Sequence, residues 1–562
     1  MGDLLVRGGI VVDGTGAPAF PADLRVRDGR IVEIASGLRA DGETELDAGG
    51  AYVSPGFIDT HTHFDPSLFW DDSCDPMPQH GVTSVLYGNC GLSLAPIRPG
   101  AGADVSKLFC YIEDMPEAAF ATAIPWTWSS YGEYADAMRA RTFSVNAAGM
   151  VGHSILRLFV IGDEAWERPS TPEERARIAE LLRASLRGGA VGMSSSLGFD
   201  EDRSKRPVPS RVADDEEFRA LLEVLAAERG FLQFIPSPIP KYMTRDVERI
   251  ANLSRGLDLV QTWINIFVND QRLDIAPSLM EFAAGLQRSG VRTYPQVSPR
   301  TLDIQVNWQG GMSFYTLGKS WHPMVQADPA GKRRMLQDPA WRAAAREEWE
   351  SVPFTMIRHQ LPENIRLVSV TRPENEAWVG KSLADLVAAR GGHPSDVLAD
   401  WLLENDLKPG IVGTGVANAD PDAVAATLQH PATIISNSDA GAHVQMMCAA
   451  GDTTLLLTRH VRDRGDLSLE QAVWEITGRQ SELFGFTDRG ILRPGAIADL
   501  TVFDLDELHW DQDTFVHDLP GDAPRLRRPA GGFRYTVVDG VPTQVAGEVT
   551  GDRPGRLLDG RD

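Results

Sequence analysis

Both ends of the chain carry short apolar stretches that alternate with polar residues at a period of two. Such stretches, bounded by Asp-Gly pairs, predict strands and tight turns. At the start, residues 4–6 and 10–12 lead into Asp13-Gly14. Residues 24–26 and 30–34 flank Asp28-Gly29 as a hairpin, and 51–53 close the region. At the far end, residues 498–503 and 535–538 repeat the pattern, the latter running into Asp539-Gly540. Two β-rich ends around a long middle predict one small β-sandwich built from residues 1–55 and 490–548, with the termini close together.

The middle changes rhythm. Apolar runs at 57–60, 82–87, 145–151, 191–194, 231–235, 260–266, 291–294 and 433–436 alternate with helix-like stretches such as 172–187 and 214–229. Repeated strand–helix units predict a parallel sheet, and about eight of them predict an α/β fold, a closed (β/α)8 TIM barrel over residues 56–489. Residues 365–370 and 411–414 are further strand candidates that fit no barrel position. Residues 301–358, rich in Trp, Arg and Met and helical at 340–350, break the rhythm. An insertion after a barrel strand usually stands over the C-terminal mouth, so a lid or substrate subdomain is expected, with a mere packing excursion equally compatible.

Composition narrows the partners. Of 562 residues, 43% are hydrophobic and 23% charged, an ordinary globular balance. The formal net charge of −24 gives no basic face for nucleic acid or anionic lipid, so neither is expected as a partner. Four scattered cysteines, with no leader-like start and no apolar run long enough to span a bilayer, fit a reducing cytoplasm. A small-molecule substrate is the expected partner, and self-association is left open.

Three motifs carry chemistry. In Pro55-Gly56-Phe57-Ile58-Asp59-Thr60-His61-Thr62-His63, a short apolar strand ends in His-x-His. Side chains at i and i+2 leave a strand on the same side, so His61 and His63 can reach one metal ion. Cys90, in Gly88-Asn89-Cys90-Gly91, follows the second strand candidate, where a thiolate would be a strong zinc ligand. A lone cysteine is more often a core filler, but the glycines on either side allow close backbone approach. Asp439, in Ser436-Asn437-Ser438-Asp439-Ala440-Gly441-Ala442-His443, follows the last strand candidate. It can bind metal or accept a proton from an activated water, or simply cap a helix. His443 can orient a ligand or donate to substrate.

These segments, with Gly81-Val82-Thr83-Ser84-Val85, Gly152-His153-Ser154-Ile155-Leu156-Arg157 and Pro494-Gly495-Ala496-Ile497-Ala498-Asp499-Leu500, resemble the amidohydrolase superfamily. The closer likeness is to its N-acyl-D-amino-acid deacylase branch, D-aminoacylase-like amidohydrolase family 3. The resemblance implies a barrel with a terminal β-sandwich, metal ligands at His61, His63 and Cys90, and Asp439 as general base and occasional ligand. It also implies a His at the ends of the fifth and sixth strands. Here those stretches read Phe231-Leu232-Gln233-Phe234-Ile235 and Gln261-Thr262-Trp263-Ile264-Asn265-Ile266, without His. The expectation is therefore one zinc ion per chain, with Gln233, Asn265 and His153 as substitutes or substrate contacts. The metal or His153 would polarise the substrate carbonyl, with a core histidine bonded to backbone the other reading of His153. Arg300 or Lys241 would meet a substrate carboxylate, with a surface salt bridge the simpler reading of either. Trp308, Trp321 and His322 would line a roomy pocket, or the tryptophans would serve packing. The bond cleaved would be the amide of an N-acyl-D-amino acid. A cyclic amide, lactone or carbamate on the same site, or a degenerate binding protein, are the competing readings.

Overall fold

A computed structural model describes residues 3–310, 313–353, 355–436 and 438–559. Asn437 of the last motif, and residues 311, 312 and 354 of the expected insertion, lie outside the described residues.

Eight parallel strands form the barrel: β1 (Phe57–Asp59), β2 (Val82–Tyr87), β3 (Asn146–Gly152), β4 (Gly192–Ser196), β5 (Phe231–Ile235), β6 (Gln261–Trp263), β7 (Thr293–Val297) and β8 (Ile434–Ile435). Each pairs in parallel with its sequence neighbour from β1 through to β8. A parallel bridge between Thr62 and Ala440 joins the ends of β1 and β8. All eight expected strands are present, with ends shifted by up to three residues. Every residue of β2, β3 and β4 is buried, as parallel strands covered on both faces must be. The helices between them start where caps dictate. Thr171 and Glu174 form a capping box ahead of Pro172–Arg187, and Asp214 caps Asp215–Ala227. One end of the barrel is closed by apolar side chains, Ile58, Leu86, Phe231 and Ile434 packing with Phe484, Phe486 and Leu558. Polar chemistry is left to the other end, where the strands terminate.

The termini build one nine-stranded sheet in which Tyr52–Pro55 pairs with Leu500–Phe503. The two short strands expected at 4–6 and 10–12 are one, Leu4–Val11, with a register shift between Val6 and Gly9. Gly8, at φ 66°, takes the backbone through that irregularity. The C-terminus does not stop at the sheet. Leu557–Leu558 returns to pair with the start of β3, before β4 takes over that edge.

The insertion after β7 is longer than its composition implied. A three-stranded antiparallel sheet of Leu302–Gln305, Gly410–Ala417 and Ile365–Ser369 anchors it, which accounts for both unplaced strand candidates. It has its own core, including Trp308, Phe314, Trp321, Trp349 and Trp401. The two tryptophans expected to line a pocket instead stack on either side of Phe314. The Trp308 indole donates to the Pro409 carbonyl at 2.7 Å and the Trp321 indole to Ser395 at 3.0 Å. No helix among the described residues is long and apolar enough to cross a membrane. All four cysteines are buried and free.

Candidate metal centre

His61 and His63 leave the end of β1, Cys90 lies three residues past β2, and Asp439 lies four past β8. Because β1 has β2 and β8 as neighbours, these four side chains meet. Donor atoms of His61, His63 and Cys90 lie within 4.8 Å of one another, a group that could hold a metal ion. Among the described residues it is the one such group. The Cys90 sulfur is 3.4 Å from His61 Nε2, and an Asp439 oxygen lies 3.5 Å from His61 Nε2 and 3.2 Å from His63 Nε2.

The local backbone holds this arrangement against its own preference. Cys90 and Asp439 both have positive φ, 62° and 66°, a region that non-glycine residues rarely enter. Asp65 accepts from the Gly88 amide at 3.0 Å, Asn89 donates to the Thr62 and Leu86 carbonyls, and Gln233 accepts from the Cys90 amide at 2.8 Å. A Cβ on Gly88 would stand 2.5 Å from the Met150 carbonyl oxygen, so the loop can pass only with glycine there. Across the barrel, the Asp439 amide donates to the His61 carbonyl at 3.0 Å, and the His63 amide donates to the Ala440 carbonyl at 2.7 Å. Gly441 at φ 90° lies flat on His63, where a Cβ would be 2.9 Å from its carbonyl.

The donor atoms are prepared for a cation. His61 Nδ1 is 2.7 Å from Gln296 Oε1, an acceptor, so the proton sits on Nδ1 and the Nε2 lone pair faces the thiol. Both His63 ring nitrogens are buried without an aligned hydrogen bond. Glu113 Oε1, also unpartnered, lies 3.5 Å from His63 Nδ1. Burial pushes the His61 pKa down to about 4, keeping it neutral. Burial also lowers His63, but the Glu113 and Asp439 carboxylates outweigh it and lift the ring to about 9. Burial raises Glu113 to about 8 and lifts the Cys90 thiol well above its ordinary value. Burial would raise Asp439 too, yet the imidazoles hold it below the usual carboxylate range. Buried carboxylates, a buried thiol and the free His61 lone pair draw positive charge to this pocket, which a proton on His63 answers in the empty site and which suits a divalent cation.

Not every expected residue joins this group. His153 is saturated by protein, as a core histidine would be, rather than open to a substrate carbonyl. Its Nε2 bonds Glu217 at 2.8 Å and its Nδ1 bonds Ser195 at 3.0 Å, while Glu217 also takes the buried Arg157 guanidinium. Arg300 follows the salt-bridge reading: its guanidinium is buried on Asp452 and on the Cys448 and Ala449 carbonyls. Lys241 is exposed at the start of Pro240–Leu253. His322 lies in the insertion against the Tyr111 hydroxyl at 3.3 Å. His443 does stand beside the group, its Nε2 3.7 Å from Asp439 and 3.8 Å from Glu113. Gln233 touches the Cys90 amide and leaves its own Nε2 buried and unpartnered. Asn265 is half-buried just past β6. Two neighbours of the site, Glu113 and Gln296, had no local motif to announce them. Glu113 only ends the helix Gly102–Ile112, and Gln296 is one of several polar side chains in the strand Thr293–Val297.

Comparison with known proteins places this geometry. A family model described as "Amidohydrolase family" matches residues 44–235 and 356–544, more than half of the chain. The chain belongs to this amidohydrolase family. It is a hydrolase of carbon–nitrogen bonds other than peptide bonds. The amidohydrolase is 30% identical to N-acyl-D-glutamate deacylase and 29% identical to D-aminoacylase, both from Alcaligenes xylosoxydans xylosoxydans. Each match covers 99% of this chain, and 96% and 97% of those proteins. The structure of N-acyl-D-glutamate deacylase from Bordetella bronchiseptica, complexed with zinc and a phosphonate inhibitor, matches it with a TM-score of 0.68. The identity there is 26%, over 99% of both chains. A D-aminoacylase with a binuclear metal centre matches it with a TM-score of 0.69 over the whole of both chains. At 24% identity, that match speaks for the fold alone. The family model passes over 236–355, which includes β6, β7 and much of the insertion.

Proposed function

We propose that this amidohydrolase is a metal-dependent N-acyl-D-amino-acid deacylase working with one divalent ion, zinc by its donor set. The observation that carries the reading is the meeting of His61, His63 and Cys90 donor atoms within 4.8 Å at the ends of β1 and β2, with Asp439 beside them. The deacylase relatives, similar over nearly the full chain, support the bond type. His61, His63 and Cys90 would hold the ion, and Asp439 would stand close enough to bind it or to serve the reacting water. A single ion fits because β5 and β6 offer Gln233 and Thr262, an amide and a hydroxyl, where a second ion would need imidazoles.

A bound divalent cation supplies Lewis acidity, which brings the pKa of water from near 15.7 towards about 7 and polarises a carbonyl. Asp439 accepts the proton of the attacking water and returns it to the leaving nitrogen as the tetrahedral intermediate collapses. Gln296 fixes the His61 tautomer, and Glu113 orients His63. His443 and the free Gln233 Nε2 are placed to donate to substrate oxygens.

The test is elemental analysis of the purified protein together with a panel of N-acyl-D-amino acids, their L-enantiomers and cyclic imides. The reading expects about one metal per chain and hydrolysis of the N-acyl-D-amino acids. Turnover of cyclic imides alone, or a protein with neither metal nor activity after loading, would remove it.

A further inference from the structure

Three consecutive barrel strands, β4, β5 and β6, carry no residue of the metal group, yet their loops hold an unusual surface. Phe199 follows β4, Ile239 and Tyr242 follow β5, and Phe267 and Leu273 follow β6. Each is a large apolar side chain with between 36% and 46% of its surface exposed. Of the other exposed large apolar residues among those described, Phe20, Val32, Phe515 and Val545 belong to the sheet and hairpin of the chain ends, and Val368 and Val379 to the insertion. Single exposed apolar side chains are ordinary, but a run of them on adjacent loops is not. The three loops stand side by side because their strands are neighbours. The Leu197 amide bonds the Ile235 carbonyl at 2.7 Å, and the Ile264 amide bonds the Phe234 carbonyl at 3.2 Å.

The strands that carry two of these segments also hold the Cys90 loop. Gln233 on β5 accepts from the Cys90 amide, and Ser194 on β4 accepts from the Gly91 amide at 2.9 Å. A substrate whose reacting carbonyl lies at Cys90 therefore extends on one side over β4 and β5. The insertion and the residue that ends it reach the loop after β6, through Arg358 on Asp270 and the Val268 amide on the Asn418 side chain at 2.8 Å. An exposed apolar rim on the strands next to the Cys90 loop, bordered by the insertion at β6, fits an apolar arm of the substrate.

We propose, resting on the deacylase reading above, that the substrate's acyl group is an extended aliphatic chain lying along Phe199, Ile239, Tyr242, Phe267 and Leu273. Each methylene removed from water there should favour binding by roughly threefold, somewhat less than full burial gives. The test uses the metal-loaded protein and acetyl, hexanoyl and decanoyl derivatives of one D-amino acid. Expected is a kcat/KM that rises by at least about a hundredfold from acetyl to decanoyl. In the triple variant Phe199→Ser, Tyr242→Ser, Phe267→Ser, the decanoyl-to-acetyl ratio should fall at least tenfold. Calorimetry on metal-loaded Asp439→Asn should show the same preference in binding. If the acetyl compound is cleaved while both the kinetic and the binding series are flat, the rim proposal falls and the deacylase reading stands. If no derivative is cleaved but decanoyl binds far more tightly than acetyl, the rim stands and the deacylase reading falls. A flat series with a wild-type dimer that the triple variant turns into a monomer, seen by sedimentation, would make the rim a contact between copies of this chain and overturn the proposal.

Discussion

His63 and His153 are the same residue type, both buried and both just beyond the end of a barrel strand. Their surroundings differ completely. His63 has two ring nitrogens without an aligned partner, and faces a thiol, a second imidazole and two carboxylates. His153 has both nitrogens occupied, by Ser195 and by a glutamate that also holds an arginine. The same contrast divides the barrel mouth. The ends of β1, β2 and β8 collect donors that the protein leaves unsatisfied, while those of β3 and β4 tie up their polar groups among themselves. Buried polar groups are normally paired, so where a protein leaves several unpaired in one place, something else is meant to pair with them.

The comparison can be broken most sharply from the unsatisfied side. His61→Ala or Cys90→Ala should strip the metal and lower kcat/KM by about ten-thousandfold or more, because an unactivated water is far too weak an acid. Retained metal with full activity would end the assignment. Asp439→Asn should lower kcat by about 10²–10⁴ while keeping more metal than His61→Ala does, the range expected for a lost general base. From the saturated side, Glu217→Gln leaves Arg157 buried without its counter-charge and should cost about 3–5 kcal/mol of stability. It should do so with metal content unchanged, and a loss of metal instead would erase the distinction.

The same group gives a pH signature. Burial would raise Glu217, but His153 and Arg157 outweigh it and hold its pKa at about 2, below the ordinary 4.5. A depressed carboxylate contributes stability above 4.5 that disappears as pH falls towards 2. Burial also lowers the His153 pKa, so below its ordinary 6.5 protons favour the unfolded chain. Melting temperature should therefore drop on acidification, and Glu217→Gln should flatten the part below pH 4.5. A wild-type profile that is level through that window contradicts the account. The smallest effect sharpens the comparison: Gln296→Ala should weaken metal affinity by about 10–100-fold, read by chelator competition, through loss of the His61 tautomer.

The barrel was legible because short strand-like runs such as 82–87 and 231–235, mostly apolar or β-branched, alternate with helix-like stretches along the middle of the chain. His61 and His63 were legible as candidates because a strand's two-residue period fixes their common side. Glu113 was not, since a glutamate at a helix end has no periodicity to expose it, and fifty residues separate it from His63. Arg300 could not be paired because a cation following a strand gives no sign of its partner. That partner, Asp452, comes from a segment 152 positions away. The insertion was cut short at 358 for a similar reason. Its central strand, Gly410–Ala417, pairs with residues more than a hundred positions earlier as well as with a nearer strand.

By itself the sequence determined the strand–helix alternation, the terminal sheet and the residue types able to hold a metal, because these follow from local periodicity and side-chain chemistry. Only the tertiary structure decided which of those side chains remain unpaired. Whether a buried nitrogen is satisfied depends on which distant segment packs against it, and that is fixed by closure of the barrel rather than by its neighbours along the chain.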